Sequence, residues 1–121
     1  MNSEIKRKDI VYISVLIAIL LLFTLVEPFQ FSFLVGESME PTISDGSLIV
    51  YTQYAEIEES DIIVFTKQEN LIGHRVIDIE GENYITKGDN NDTIDRGKVT
   101  PSEVKGKIIY HTELFTKNET T

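Results

Sequence analysis

"LIGHRVIDIEGENYITKGDNNDTIDRG", Leu71–Gly97, decides the fold of this chain. Its first half alternates apolar and polar residues and is rich in Ile, Val and Tyr, the composition of a half-buried strand. Gly81 interrupts that pattern inside "IEGENYI", and an apolar run resumes at once, which predicts a tight hairpin. The expected arms are Ile72–Glu80 and Asn83–Lys87. Strand alternation places His74, Val76 and Asp78 on one face, and Gly73, Arg75 and Ile77 on the other. The second arm leads into "GDNNDTIDRG", built from residue types that favour turns.

The same signature recurs on both sides of this stretch. Further strands are expected at Phe31–Val35, Ser47–Thr52, Asp61–Thr66 and Lys105–Thr112, separated by Pro41, Asp45-Gly46, Gly97 and Pro101. Short strands at this spacing predict a mainly β fold, an antiparallel sandwich or barrel. A chain of 121 residues holds one such domain. The polar end "TKNETT" is expected to fray.

The N-terminal region is different. "IVYISVLIAILLLFTLV", Ile10–Val26, carries no charge. As a helix it extends about 26 Å, against a hydrocarbon core of roughly 30 Å. Lys6, Arg7 and Lys8 precede it, so the positive-inside rule predicts a cytoplasmic N-terminus. The chain then divides into a cytoplasmic segment 1–9, a transmembrane anchor 10–26 and an extracytoplasmic β domain 27–121. A cleaved signal peptide requires a small-x-small site, which "EPFQFSF" does not offer. A helix packed against the core of a small soluble domain keeps a polar face towards water, and no helical spacing supplies one.

Beyond Val26 the chain has 18 acidic and 8 basic side chains, a balance of 8 − 18 = −10. This excludes nucleic acid as a partner, because phosphate binding needs clustered Lys and Arg. It also disfavours flat contact with anionic lipid. Without cysteine there is no disulfide framework and no thiolate chemistry. Phe29, Phe31 and Phe33 alternate along one face, either resting on the membrane or packing in the core.

Nucleophilic catalysis needs a hydroxyl and a base to take its proton. Ser38 lies in "LVGESMEPT", and the chain has two histidines, His74 and His111. If the two arms around Gly81 pair, the loop bearing Asp89, Asp92 and Asp95 folds back towards the His74 imidazole. Each residue also has a plainer reading: Ser38 as a turn residue before Pro41, His74 as a half-buried strand residue. "GDNND" has oxygens suited to calcium, but lacks the spacing and final Glu of an EF-hand loop. Asn91-Asp92-Thr93 and Asn118-Glu119-Thr120 match the glycosylation sequon. A glycan on the first would obstruct the acidic loop.

Four boxes in order resemble the type I signal peptidases: "SMEPT" (Ser38–Thr42), "SDIIVF" (Ser60–Phe65), "GHRVI" (Gly73–Ile77) and "TKGDNNDTIDRG" (Thr86–Gly97). They follow one apolar segment, and the resemblance extends over about residues 9–110. Self-cleaving repressors share the serine box, but they lack an anchor and use lysine. "HRV" followed by "TKGDNN" resembles the endoplasmic-reticulum and archaeal type, which has histidine where most bacterial members have lysine. The resemblance implies Ser38 as nucleophile, His74 as general base and Asp95 as third catalytic residue, with Asp89 in support. Asp92 matches no motif position. Lys87 and Lys67 are the fallback bases. Many members carry a serine two residues before the nucleophile, where this chain has Gly36, followed by Glu37.

The resemblance further implies a membrane-anchored serine endopeptidase that cuts preproteins after small-x-small sites, with no metal or organic cofactor. The substrate strand is expected to pair with Phe31, Ser32, Phe33, Leu34, Val35 and Gly36. Preprotein signal peptides, the lipid bilayer and the secretion translocon are the implied partners. A membrane-anchored β domain that only binds partners is the non-enzymatic alternative.

Overall fold

The apolar N-terminal run forms helix α1 (Arg7–Val26) in the computed structural model, which describes residues 4–26 and 28–114. The helix begins three residues before the expected anchor, because Arg7 and Lys8 are good helix formers and the Asp9 carboxylate accepts the Lys6 N–H at 3.1 Å. Its 20 residues extend about 30 Å, enough to cross a bilayer. None of the apolar window is buried against the rest of the protein. Ser14 and Thr24 turn their hydroxyls back onto the carbonyls of Ile10 and Leu21, at 2.8 and 2.6 Å. An apolar helix thereby leaves those polar groups paired without water.

Six strands follow: β1 (Gln30–Leu34), β2 (Ser47–Thr52), β3 (Ile62–Lys67), β4 (Asn70–Glu80), β5 (Asn83–Lys87) and β6 (Val104–Thr112). All pair antiparallel in one sheet of order β1-β2-β6-β3-β4-β5. The expected mainly β fold takes this form. β1 ends at Leu34, so Val35 lies beyond the strand expected to contain it. The tail expected to fray and the sequon at Asn118 fall outside the described residues.

The hairpin at Gly81 has the two-residue loop Gly81-Glu82 between the paired Glu80 and Asn83. Gly81 takes a φ of +64°, the first-position requirement of a type II′ turn. β3 and β4 form a second hairpin that composition conceals. Its loop is Gln68-Glu69, at φ +51° and +68°, between the paired Lys67 and Asn70. Two positive φ values define a type I′ turn, ordinarily built from Asn and Gly.

The core has two apolar clusters. One gathers Leu34, Met39, Ile43, Ile49, Tyr51, Val64 and Ile108. The other centres on Ile63, Phe65, Val76 and Val99. β3 feeds both: Val64 points into the first, and its neighbours Ile63 and Phe65 into the second. This is why β3 reads as a continuous apolar run instead of an alternation. β1, by contrast, leaves Phe31 and Phe33 more than half exposed, so of the two alternatives for its aromatic row, packing in the core is not the one taken.

Alternation along β4 holds only as far as Val76. Val76 pairs with Thr86 and Asp78 with Ile85, so Ile77 is an extra residue in a bulge. Ile79 then packs beside Val76 in the second cluster while Ile77 is exposed. Asp78 therefore leaves the His74 face, and its carboxylate accepts the Ile79 N–H. A bulge reverses the facing of every residue after it, and the alternating pattern carries no mark of it.

Candidate active site

Residues 35–46 form the connection between β1 and β2, and Ser38 sits on it. Met39 and Ile43, each 1% exposed, plug this loop into the first cluster. Local hydrogen bonds close it: Ile43 N–H to Met39 O at 2.9 Å, Gly46 N–H to Leu34 O at 2.7 Å, and Gly36 N–H to Asp45 Oδ1 at 2.7 Å. An apolar side chain directly after Ser38 thus locks the serine backbone, while its hydroxyl stays at a half-buried surface.

His74 lies in β4, opposite Ile63 of β3. It is 8% exposed, and the ring of Phe65 meets it edge-on at 6.2 Å between centroids. Its Nε2 lies 3.0 Å from Ser38 Oγ and its Nδ1 lies 2.6 Å from Asp95 Oδ2. An ionised carboxylate only accepts hydrogen bonds, so Nδ1 carries the proton donated to Asp95. Nε2 is then the free acceptor facing the Ser38 hydroxyl.

Asp95 is held by β5. Its N–H donates to Thr86 O at 2.8 Å, and Thr86 Oγ1 donates to Asp95 Oδ2 at 2.7 Å. Thr86 is fully buried and pairs with Val76, two residues from His74. Sequence reading missed Thr86 and Phe65. Thr86 was not within reach of the hairpin alone: a regular register from Gly81 sets it opposite Ile77, and only the bulge at Ile77 brings it opposite Val76.

Asp89 goes elsewhere. Arg75 grips it through two parallel bonds, Nε to Oδ1 at 2.8 Å and Nη2 to Oδ2 at 2.7 Å. Thr42 Oγ1 adds a third at 2.6 Å, and Arg75 Nη1 donates to Ser60 O at 2.6 Å. The Arg75 bonds hold the Asp89 carboxyl below the usual carboxylate range, and the same pairing raises the guanidinium. The Asp89 N–H also meets Met39 Sδ at 3.3 Å. This network ties the serine loop, β4 and the acidic loop together without touching the imidazole.

The remaining candidates separate from the site. Asp92 is exposed, and so is His111, which stands opposite Ile49 in β6. Lys67 pairs with Glu103 at 2.9 Å and bonds Lys98 O. Lys87 Nζ donates to the adjacent Gly88 O at 3.2 Å. Gly36 has a φ of +114°, a conformation other residues rarely adopt, so a serine there would be strained although it has room.

Among the described residues β1 pairs only with β2, leaving its outer edge unpaired. Phe31, Phe33 and Val35 are exposed, Ser32 is half-buried and Leu34 is buried. Leu34 packs over Gly73, where an added Cβ would come within 3.0 Å of it. The edge therefore ends beside the strand residue that precedes His74.

A hydroxyl, a neutral imidazole nitrogen and a carboxylate in one hydrogen-bonded line can activate a serine for acyl transfer. Two comparisons bear on this geometry. The family described as "Signal peptidase, peptidase S26" matches residues 5–110. Signal peptidase I W of Bacillus subtilis (strain 168) is 36% identical over 78 residues, covering 58% of this chain and 41% of that protein. The chain thus spans less than half the length of this curated relative.

Proposed function

The chain belongs to the signal peptidase family, peptidase S26, and from that premise we propose that it is a membrane-anchored serine endopeptidase removing signal peptides from preproteins. Ser38 is the nucleophile, His74 the general base and Asp95 its orienting carboxylate. The observation that carries this reading is the continuous line Ser38 Oγ to His74 Nε2 at 3.0 Å and His74 Nδ1 to Asp95 Oδ2 at 2.6 Å. Asp89 supports the scaffold through Arg75.

In the proposed reaction an extended preprotein segment adds to the free edge of β1, alongside Phe31–Leu34, and continues past Val35 and Gly36 (strand addition). Ser38 Oγ attacks the carbonyl carbon after the small residue as its proton passes to His74 Nε2. The imidazolium protonates the leaving amine, the peptide bond breaks and an acyl-enzyme remains. Water, deprotonated by His74, then hydrolyses the ester and restores the hydroxyl. Asp95 holds the imidazole with Nδ1 protonated and stabilises its cationic form.

In this reading residues 1–9 lie in the cytoplasm, residues 10–26 anchor the protein and the β domain works on the outer membrane face beside the secretion translocon. The exposed Phe31 and Phe33 follow α1 by only a few residues, which suits a site at the lipid surface where signal peptides emerge. The imidazole accepts the Ser38 proton only in its neutral form.

A preprotein cleavage assay with purified protein in micelles tests the proposal. Wild type releases the mature chain, while Ser38→Ala and His74→Ala do not. Processing by Ser38→Ala at the wild-type rate would remove Ser38 as the nucleophile, and no processing by wild type would leave a binding module as the reading. Full activity of His74→Ala would remove the base assignment.

A further inference from the structure

The Ser38 N–H lies between two carbonyls, that of Glu37 and that of Ser38 itself, and one residue holds both. Asn90 Nδ2 donates to Glu37 O at 3.0 Å, and the Asn90 main-chain N–H donates to Ser38 O at 2.8 Å. Gly88 permits this approach: a Cβ there would lie 2.6 Å from Ser38 O. In a trans peptide the N–H and the preceding C=O point to opposite sides. Tying the Glu37 carbonyl to Asn90 therefore turns the Ser38 N–H away from the 88–91 turn. Among the described residues that N–H donates to no protein acceptor.

An unspent main-chain donor on the residue bearing the attacking hydroxyl is suited to the oxyanion that forms when Ser38 Oγ adds to a carbonyl. We propose that Asn90 is a positioning residue: by holding the Glu37 and Ser38 carbonyls together, it aims the Ser38 N–H at the tetrahedral oxyanion. The inference rests on Ser38 being the nucleophile. Asn90 bonds neither His74 nor Asp95, so its effect is separable from base chemistry.

The test uses the full chain in micelles, a small-x-small peptide substrate, and the matching peptide aldehyde. The aldehyde adds the Ser38 hydroxyl across its C=O, leaving an oxygen where the oxyanion would sit. Asn90→Ala removes the side-chain donor. Asn90→Asp is isosteric and retains the main-chain bond, but its carboxylate cannot donate at neutral pH, so it covers a failure of the alanine variant to fold. Asp92→Ala, an exposed change in the same loop, is the control. For both Asn90 variants kcat falls about 10–100-fold, with KM within about twofold. Aldehyde affinity falls by the same factor as kcat/KM, while a non-cleavable ground-state peptide binds as in wild type. The acid limb of the Asn90→Ala pH profile does not move. A loss expressed in KM, an unchanged aldehyde affinity, or a shifted acid limb overturns the assignment. If Ser38→Ala still cleaves, the nucleophile reading fails and the clamp with it. If Ser38→Ala is dead but Asn90→Ala is fully active, the clamp alone fails.

Discussion

Asp89→Asn separates the two carboxylates of the acidic loop. The substitution keeps the shape of the side chain but removes the charge that Arg75 grips at 2.8 and 2.7 Å and that Thr42 reaches at 2.6 Å. A hydrogen bond to a charged group contributes roughly 1.5–3 kcal/mol. The Arg75 and Asp89 side chains keep 31% and 18% of their surface exposed, so solvent screening reduces the figure. The amide still offers one oxygen to Arg75. The expected loss is about 1–2 kcal/mol, or several degrees in melting temperature for a domain of this size. The pH dependence has a definite sign. Arg75 lowers the folded carboxyl, so the contribution is present above the ordinary Asp value of about 3.9. It disappears as pH falls from there through the lowered folded value. Urea unfolding followed by circular dichroism between pH 7 and pH 3 should therefore show the two proteins converging at the acid end. Activity per folded molecule should stay close to wild type, whereas Asp95→Asn, which disturbs the imidazole tautomer, should lose about 10³–10⁴-fold at little cost in stability. A stability gap that persists unchanged to pH 3, or a loss in Asp89→Asn as deep as in Asp95→Asn, would refute this division of roles.

Two further outcomes follow from packing and backbone geometry. Met39→Ala should cost about 2–5 kcal/mol, because Met39 is 1% exposed and anchors the serine loop; denaturant titration measures it, and cleavage should fall with the folded fraction. Glu69→Gly should raise the melting temperature, since Glu69 holds a φ of +68° that costs a non-glycine residue roughly 1–2 kcal/mol; calorimetry showing destabilisation would contradict the turn assignment.

Much of the fold was legible because it rests on local chemistry. The Gly81 hairpin, the uncharged run Ile10–Val26 and the short β-branched runs each declare their conformation within a few residues. The Gln68-Glu69 hairpin was missed because neither residue favours positive φ; strand pairing on both sides imposes the turn. The aromatic row of β1 had two possible homes, and its alternation is identical for both. Only the position of β1 at the sheet edge leaves Phe31 and Phe33 exposed.

For the site, the sequence by itself determined which groups were available: one serine in a proline-bounded box, a histidine in a strand and three aspartates in one loop. Pairing of the arms around Gly81 brought that loop back to His74, as the pattern predicted. Which aspartate meets the imidazole was decided by tertiary structure. Asp95 is drawn to β5 by Thr86, while Asp89 is drawn to Arg75 on the opposite face of β4 from His74. The reason is physical. Composition states which charges exist, but a hydrogen bond of 2.6 Å depends on strand register, a bulge and a buried methionine, and these arise only when distant parts of the chain pack together.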